Sequence, residues 1–339
     1  MIPSFSLPLT FILLCFGMLG VPDLYAGESV VVYSGRAERL IKPVLDHFQQ
    51  TTGTTVQLLT AGSTELVNRL RAEGAQSPAD VFITNEAGAL EMARHLHLLQ
   101  PITLPSVATT IPTQFRAPDN SWIGLSGRIW IVVYNTNMVD PSTIHSLLDL
   151  ATPSWKGKLA IPNASSEYLQ AGASMVLAAK GEKTADAFLQ GIRDNAGNEV
   201  YGKNRQIVDA VAKGKVAVGL VNHYYIFRHL DTDPQAPVAP LITDQDNDGI
   251  GAIMNVAGIG LTAHAKHRSA ANELITFLMS LTGQEMFASI NKEYPVNPSI
   301  QADPVLPPSS SFRASTIPLT RLAELREPII QTIERLGLR

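Results

Sequence analysis

Three of the chain's eight tyrosines fall where predicted strands give way to predicted helices: Tyr168, and the adjacent pair Tyr224-Tyr225. Residues neighbouring in a helix differ by about 100° around its axis, so two phenols on a first turn can converge on one point in a cleft. A phenolate is a hard oxygen donor and suits a small, highly charged cation. Phenol ionises near pH 10, so only a strongly polarising ion deprotonates it at neutral pH, and ferric iron fits that requirement best. Packing is the competing reading, in which each ring fills core or rim and each hydroxyl bonds backbone or water. Spacing alone favours packing.

The elements around those residues read as α/β. Glu28–Tyr33 is a valine-rich strand, and Arg36–Gln50 puts Leu40, Ile41, Val44, Leu45 and Phe48 on one helical face. A strand at Val56–Leu59, a helix at Thr64–Glu73, a strand at Asp80–Thr84 and a helix at Glu86–Leu96 follow. The pattern resumes with Lys158–Ile161, Ser166–Ala179, Val216–Val221 and Tyr224–Leu230. Such alternation predicts βαβ units and a mostly parallel sheet. In open α/β sheets ligands sit beyond the carboxyl ends of the strands, where helix N-termini also point. Those junctions carry Ser34-Gly35-Arg36, Thr84-Asn85-Glu86, Asn163 through Tyr168, and Asn222-His223-Tyr224-Tyr225. Helix-rich segments are expected at Ala270–Ser289 and at Thr320–Leu336, the second interrupted at Pro328.

The 339 residues amount to about two domains. Charged residues are 17% of the chain and the net charge is −4, without a Lys/Arg stripe, which argues against nucleic acid as a partner. Residues 1–26 hold no Lys or Arg, and their apolar run ends at Ala26, as a secretory leader does. The single cysteine, Cys15, lies inside it. Cleavage after Ala26 leaves an exported chain without thiols, so no disulfide and no cysteine-based metal site or nucleophile.

At these residues the sequence resembles the periplasmic ferric-ion-binding proteins, solute receptors of iron ABC transporters among the family 1 extracellular solute-binding proteins. The segments that carry it are Val31-Val32-Tyr33-Ser34-Gly35-Arg36, Ser77-Pro78-Ala79-Asp80-Val81-Phe82, Leu125-Ser126-Gly127-Arg128, Asn222-His223-Tyr224-Tyr225 and Glu293-Tyr294-Pro295-Val296-Asn297-Pro298. The resemblance implies a two-lobed periplasmic binding protein fold of type II, each lobe a mixed, mostly parallel sheet flanked by helices, with the ligand cleft between them. It implies lobes at 27–127 with 255–304 and at 128–254 with 305–339, crossed near Gly127–Asn135 and Ala252–Gly260. It further implies that Tyr168, Tyr224 and Tyr225 ligate Fe(III), with carbonate or another synergistic anion near Arg36, Ser165, Asn204 and Asn222. Glu86 and Arg128 are possible additions. Ala37 stands where some members carry a histidine ligand, and Asn85 aligns with an acidic one, so a tyrosine-dominated site completed by anion or water is expected. The implied partner is an ABC permease in the inner membrane, and the implied state is a periplasmic monomer.

His223 reads as a solvent-facing neighbour of the pair. Asp244-Gln245-Asp246-Asn247-Asp248-Gly249 matches the start of a calcium loop, but Asn255 replaces the terminal glutamate, so an acidic surface turn is expected. No Gly-x-Ser-x-Gly elbow, His-Glu-x-x-His or phosphate loop occurs. The closest alternative function is a receptor of the same architecture for a phosphonate, sulfate or organic phosphate, with the tyrosines merely lining its pocket.

Overall fold

The computed structural model describes residues 28–338, so the expected leader lies outside the described residues. In chain order the first half runs β1 (Ser29–Ser34), α1 (Glu38–Thr52), β2 (Thr55–Thr60), α2 (Ser63–Glu73), β3 (Val81–Thr84), α3 (Ala87–His95), β4 (Leu99–Gln100), α4 (Pro105–Thr110) and the long β5 (Trp122–Asn135). Then come β6 (Leu159–Pro162), α5 (Glu167–Lys180), α6 (Glu182–Ala196), β7 (Val200–Tyr201), α7 (Asn204–Ala212), β8 (Val218–Asn222), α8 (Tyr224–Thr232) and β9 (Val238–Leu241). The chain ends with β10 (Ile253–Thr262), α9 (Arg268–Met279), α10 (Leu281–Asn291), β11 (Tyr294–Pro295) and α11 (Arg321–Arg335).

Two lobes share one sheet path, β2-β1-β3-β10-β5-β8-β6-β7. The outer pairs β1–β2, β1–β3, β6–β7 and β6–β8 are parallel, as the βαβ reading predicts. The exceptions are β5 and β10, long strands that lie antiparallel to each other from Trp122 to Trp130. β5 is the spine: its first part pairs with β10 and β11, and its last part with β8 and β9. The register of β10 on β5 slips at Ala257/Gly258, a bulge that bends the pair where the sheet passes between lobes.

Local sequence accounts for most of the helices. α1 buries Leu40, Ile41, Val44, Leu45 and Phe48, the predicted face. The helix-rich segment at residues 270–289 divides into α9 and α10, because the Ser280 hydroxyl accepts from the Gly283 amide and caps the start of α10. One expectation fails: Pro328 does not interrupt the last helix but lies inside a continuous α11. A single proline removes one N–H bond, and α11 recovers that by packing against both α5 and α3. α11 thereby touches both lobes.

Candidate functional site

All three tyrosines come from the second lobe. Tyr168 is the second residue of α5, whose start is fixed by Ser166 accepting from the Leu169 amide at 3.4 Å. Tyr224 and Tyr225 open α8, separated from the end of β8 by His223 alone. That short junction is anchored on β5: the His223 amide donates to the Ile129 carbonyl at 2.9 Å, and its Nδ1 accepts from the Ile129 amide at 3.1 Å. His223 is therefore buried, not solvent-facing, and packs against the Tyr294 ring at 5.0 Å. Burial pushes its pKa down to about 3, with Arg128 adding to the shift, so the ring stays neutral.

The Tyr224 and Tyr225 rings stack with centroids 4.3 Å apart; Tyr224 is buried and Tyr225 half-buried. Tyr168 is half-buried, with the Arg128 guanidinium carbon 5.3 Å from its ring centroid. Burial raises the Tyr168 pKa, Tyr225 adds to it, and Arg128 opposes it. Burial likewise holds Tyr224 well above the ordinary phenol range, with the other two phenols adding and Arg128 again opposing. In the metal-free protein Tyr168 and Tyr224 are thus neutral; Arg128 favours the ionisation of both, and a hydrogen bond with Tyr224 also favours that of Tyr168.

Arg128 itself is 2% exposed, and its Nε, Nη1 and Nη2 have no hydrogen-bond partner among the described residues. Burial works against its charge, yet the surrounding phenols, Glu293 and Glu86 hold its pKa above the ordinary value. Arg128 and Trp130 lie two apart on β5 and so share a face. That face meets Tyr168 and Gly172, one turn apart on α5. A Cβ at Gly172 would lie 2.3 Å from the Trp130 ring, so only glycine lets the indole seat there.

Two spaces adjoin Tyr168. The outer one, about 560 Å³, is lined by Ala37 and Arg39 of the first lobe and by Ser165, Glu167, Lys203, Asn204, Arg205 and Tyr225 of the second. The inner one is small and is walled by Arg128, Trp130, Tyr168, Gly172, Asn222 and Asn255. A larger cavity of about 700 Å³ lies between residues 113–118 and 314–320 and contains none of the expected site residues.

The other expected residues divide. Ser165 is exposed at the outer mouth and donates to Asn163 Oδ1 at 3.1 Å. Asn204 is buried and accepts from the Asn222 amide at 3.0 Å, while Asn222 Nδ2 is buried and unpartnered. Arg36, expected at the anion, lines neither space: its Nη2 donates to both carboxylate oxygens of Glu293 at 2.9 Å and its guanidinium lies 5.5 Å from the Phe287 ring centroid. Glu86 is consumed as the cap of α3, accepting from Gly88 at 2.6 Å and Ala89 at 2.7 Å. Burial and the nearby Glu167 carboxylate push its pKa up to about 7, while Arg326, 3.6 Å away, opposes. Ser63 of α2 reaches Glu167 across the cleft at 3.3 Å.

The acidic turn is organised by an arginine. Arg313 Nη2 donates to the carbonyls of Asp244, Asp246 and Gly249 at 3.0, 2.7 and 3.0 Å, and the Asp244 carboxylate accepts from Ser146 Oγ and the Leu147 amide. Among the described residues no group of three His, Cys, Asp or Glu is placed to hold a metal.

Sequence reasoning missed Glu293, Trp130 and Asn255. Trp130 had a signal, its position two residues beyond Arg128 on a predicted crossing strand. Glu293 lies in a segment that carries the resemblance, but at 257 residues from Arg36 nothing in the sequence marks it as that arginine's counter-charge.

Comparison with known proteins gives one consistent result. A family model described as bacterial extracellular solute-binding protein matches residues 30–289. The "Fe(3+)-binding periplasmic protein" of Serratia marcescens is 31% identical over 94% of this chain and 93% of its own. A solved Trichodesmium protein, IdiA or FutA, in complex with iron and citrate superposes with a TM-score of 0.82 at 31% identity, covering 92% of this chain and all of that one. The ferric binding protein from Campylobacter jejuni superposes with a TM-score of 0.85 at 26% identity, covering 91% of this chain.

Proposed function

From its membership of the bacterial extracellular solute-binding protein family, we propose that this chain is a periplasmic receptor that binds Fe(III) through Tyr168, Tyr224 and Tyr225 and delivers it to an ABC-type importer in the inner membrane. The observation that carries this reading is the gathering of Tyr168 and Tyr224 around a buried Arg128 without a partner among the described residues, with Tyr225 stacked on Tyr224. The relatives' names, which speak of ferric iron, support it.

Charge explains the choice of metal. Three phenolates balance one ferric ion, whereas a divalent ion would leave a net negative set and polarise the phenols too weakly to displace their protons. Arg128 favours the ionised phenols without occupying a coordination position. The uncompensated positive charge of Arg128, together with Arg39, Lys203 and Arg205 at the outer mouth, favours an anion beside the metal. Ser165, Asn204 and Asn222 are the polar groups suited to hold carbonate or a carboxylate there. Arg36 acts at one remove, tying α1's junction to Glu293.

All three ligands belong to one lobe, so iron docks on the second lobe first, and closure brings Ala37 and Arg39 over it. In this reading the lobes are 27–127 with 255–304 and 128–254 with 305–339, and bending occurs along β5 and β10. The receptor acts as a monomer.

Loading the purified protein with ferric citrate should give a visible phenolate-to-iron charge-transfer band that Tyr224→Phe or Tyr225→Phe strongly diminishes. A colourless loaded protein overturns the proposal.

A further inference from the structure

Glu167, the residue before Tyr168, joins the two lobes across the cleft. In the first lobe α2 begins at Ser63 without a side-chain cap, because its N-cap residue is Gly62, and its first-turn amides have no partner within the helix. The second lobe brings a carboxylate to that end. Ser63 Oγ donates to Glu167 Oε2 at 3.3 Å, and the Ser63 amide also favours the carboxylate's charge. A helix start carries partial positive charge, so an acidic group is suited to it.

A second contact crosses the same gap from α11. The far half of that helix lies on the second lobe: Ile329 and Ile333 are buried, and Thr332 Oγ1 and Arg335 Nη2 donate to the Asp186 carboxylate of α6 at 3.4 and 2.6 Å. Its near half reaches the first lobe. Arg326 Nη2 donates to Thr64 Oγ1 at 2.8 Å, and Arg326 Nη1 lies 3.6 Å from Glu86 Oε1. Leu322 is buried so close to the start of α3 that a Cβ on Gly88 would lie 3.3 Å from it. Burial raises the Glu167 pKa, and burial with the Glu167 charge raises that of Glu86; in both, Arg326 is the strongest opposing influence. One guanidinium therefore stands between carboxylates of opposite lobes.

We propose that Glu167 and Arg326 form a clasp that holds the cleft shut over Tyr168 and sets how slowly bound metal leaves. Opening parts Ser63 from Glu167, and Arg326 from Thr64 and Glu86, in one movement, so the contacts oppose it together. Glu167 adjoins Tyr168 on the first turn of α5, so a metal that fixes Tyr168 also fixes the clasp, and closure and retention are coupled. Neither Glu167 nor Arg326 touches the metal; both are positioning residues. The effect on metal rests on the ferric reading proposed above, whereas the effect on closure does not.

In the iron-free full chain, Arg326→Ala and Glu167→Gln should each raise the radius of gyration measured by small-angle scattering, as the population shifts to open forms. After ferric loading, loss of iron to an excess of chelator should run about tenfold faster in either variant, while capture stays within about twofold of the unaltered chain. The charge-transfer band should keep its position, because the three tyrosines are untouched. The double variant should release iron at most about twofold faster than either single one, since both break one clasp, and Arg326→Lys should recover part of the loss. An unchanged radius of gyration, equal effects on capture and release, or fully additive effects in the double variant overturns the proposal. Absence of the band in the unaltered chain overturns the ferric reading alone, and scattering then decides the clasp.

Discussion

The strand-to-helix junctions of the two lobes have similar composition but different degrees of satisfaction. In the first lobe most polar groups serve each other: Ser34 Oγ accepts from the Arg36 amide, Asn85 donates to the Gly35 carbonyl, Glu86 caps α3, and Arg36 is clamped through Nη2 by Glu293, with only its Nε and Nη1 lacking a partner among the described residues. In the second lobe the junction residues face Arg128, Trp130 and Asn222, whose nitrogens have no partner. Burying polar groups unpartnered opposes folding, so a fold keeps them where a ligand completes them. Charge at a junction thus marks structure in the first lobe, while the proposed site draws on unpartnered groups of the second.

The largest expected effect lies on the satisfied side. Glu293→Ala leaves Arg36 buried without a counter-charge and should cost about 3–5 kcal/mol of stability, read by urea denaturation, whereas affinity for ferric iron in the folded fraction should change less than about tenfold. An affinity loss as large as that of the tyrosine variants would break the contrast. On the unsatisfied side, Tyr224→Phe should lower ferric affinity by more than about 100-fold, measured by competition with a chelator, with a change in melting temperature of the metal-free protein small beside that of Glu293→Ala.

Two pH effects sharpen the contrast. Displacing three phenolic protons makes apparent affinity fall by up to about 1000-fold per pH unit at fixed free ferric ion; proton release on loading, followed in unbuffered solution, checks the count. For folding, the sign follows from His223. Its folded pKa of about 3 lies below the ordinary imidazole value of about 6.5, so the unfolded chain binds more protons between those values. Stability is then lost as pH falls below about 6.5. His223→Gln should flatten the acid limb of a stability–pH curve, and an unchanged limb would place the acid sensitivity elsewhere. The smallest effect belongs to the solvated rim: Arg205→Ala should slow iron–anion capture by only a few-fold and weaken its salt dependence, as stopped-flow mixing at several ionic strengths would show.

Much of the fold was legible because its signals are local. The apolar stripe of α1, the valine run of β1 and the alternation around them each need a window of only a dozen residues. Where local signals were too coarse or failed, the deciding contact was fine-grained or remote: Ser280 splits α9 from α10, and packing on two lobes carries α11 through Pro328. His223 is the sharpest case. Its neighbours in sequence suggest a surface turn, but a strand that begins 101 positions earlier takes both its amide and its Nδ1.

The sequence alone determined which donors the protein can offer: phenols at two junctions, no thiol beyond Cys15, and arginines on predicted cleft elements. These are properties of residue type and short-range spacing, which covalent order fixes. Only the tertiary structure decided that Arg36 serves Glu293 while Arg128 stands unpartnered, and that Trp130 lines a small space beside Tyr168. Whether a buried charge is satisfied depends on residues far away along the chain, and only folding sets those distances.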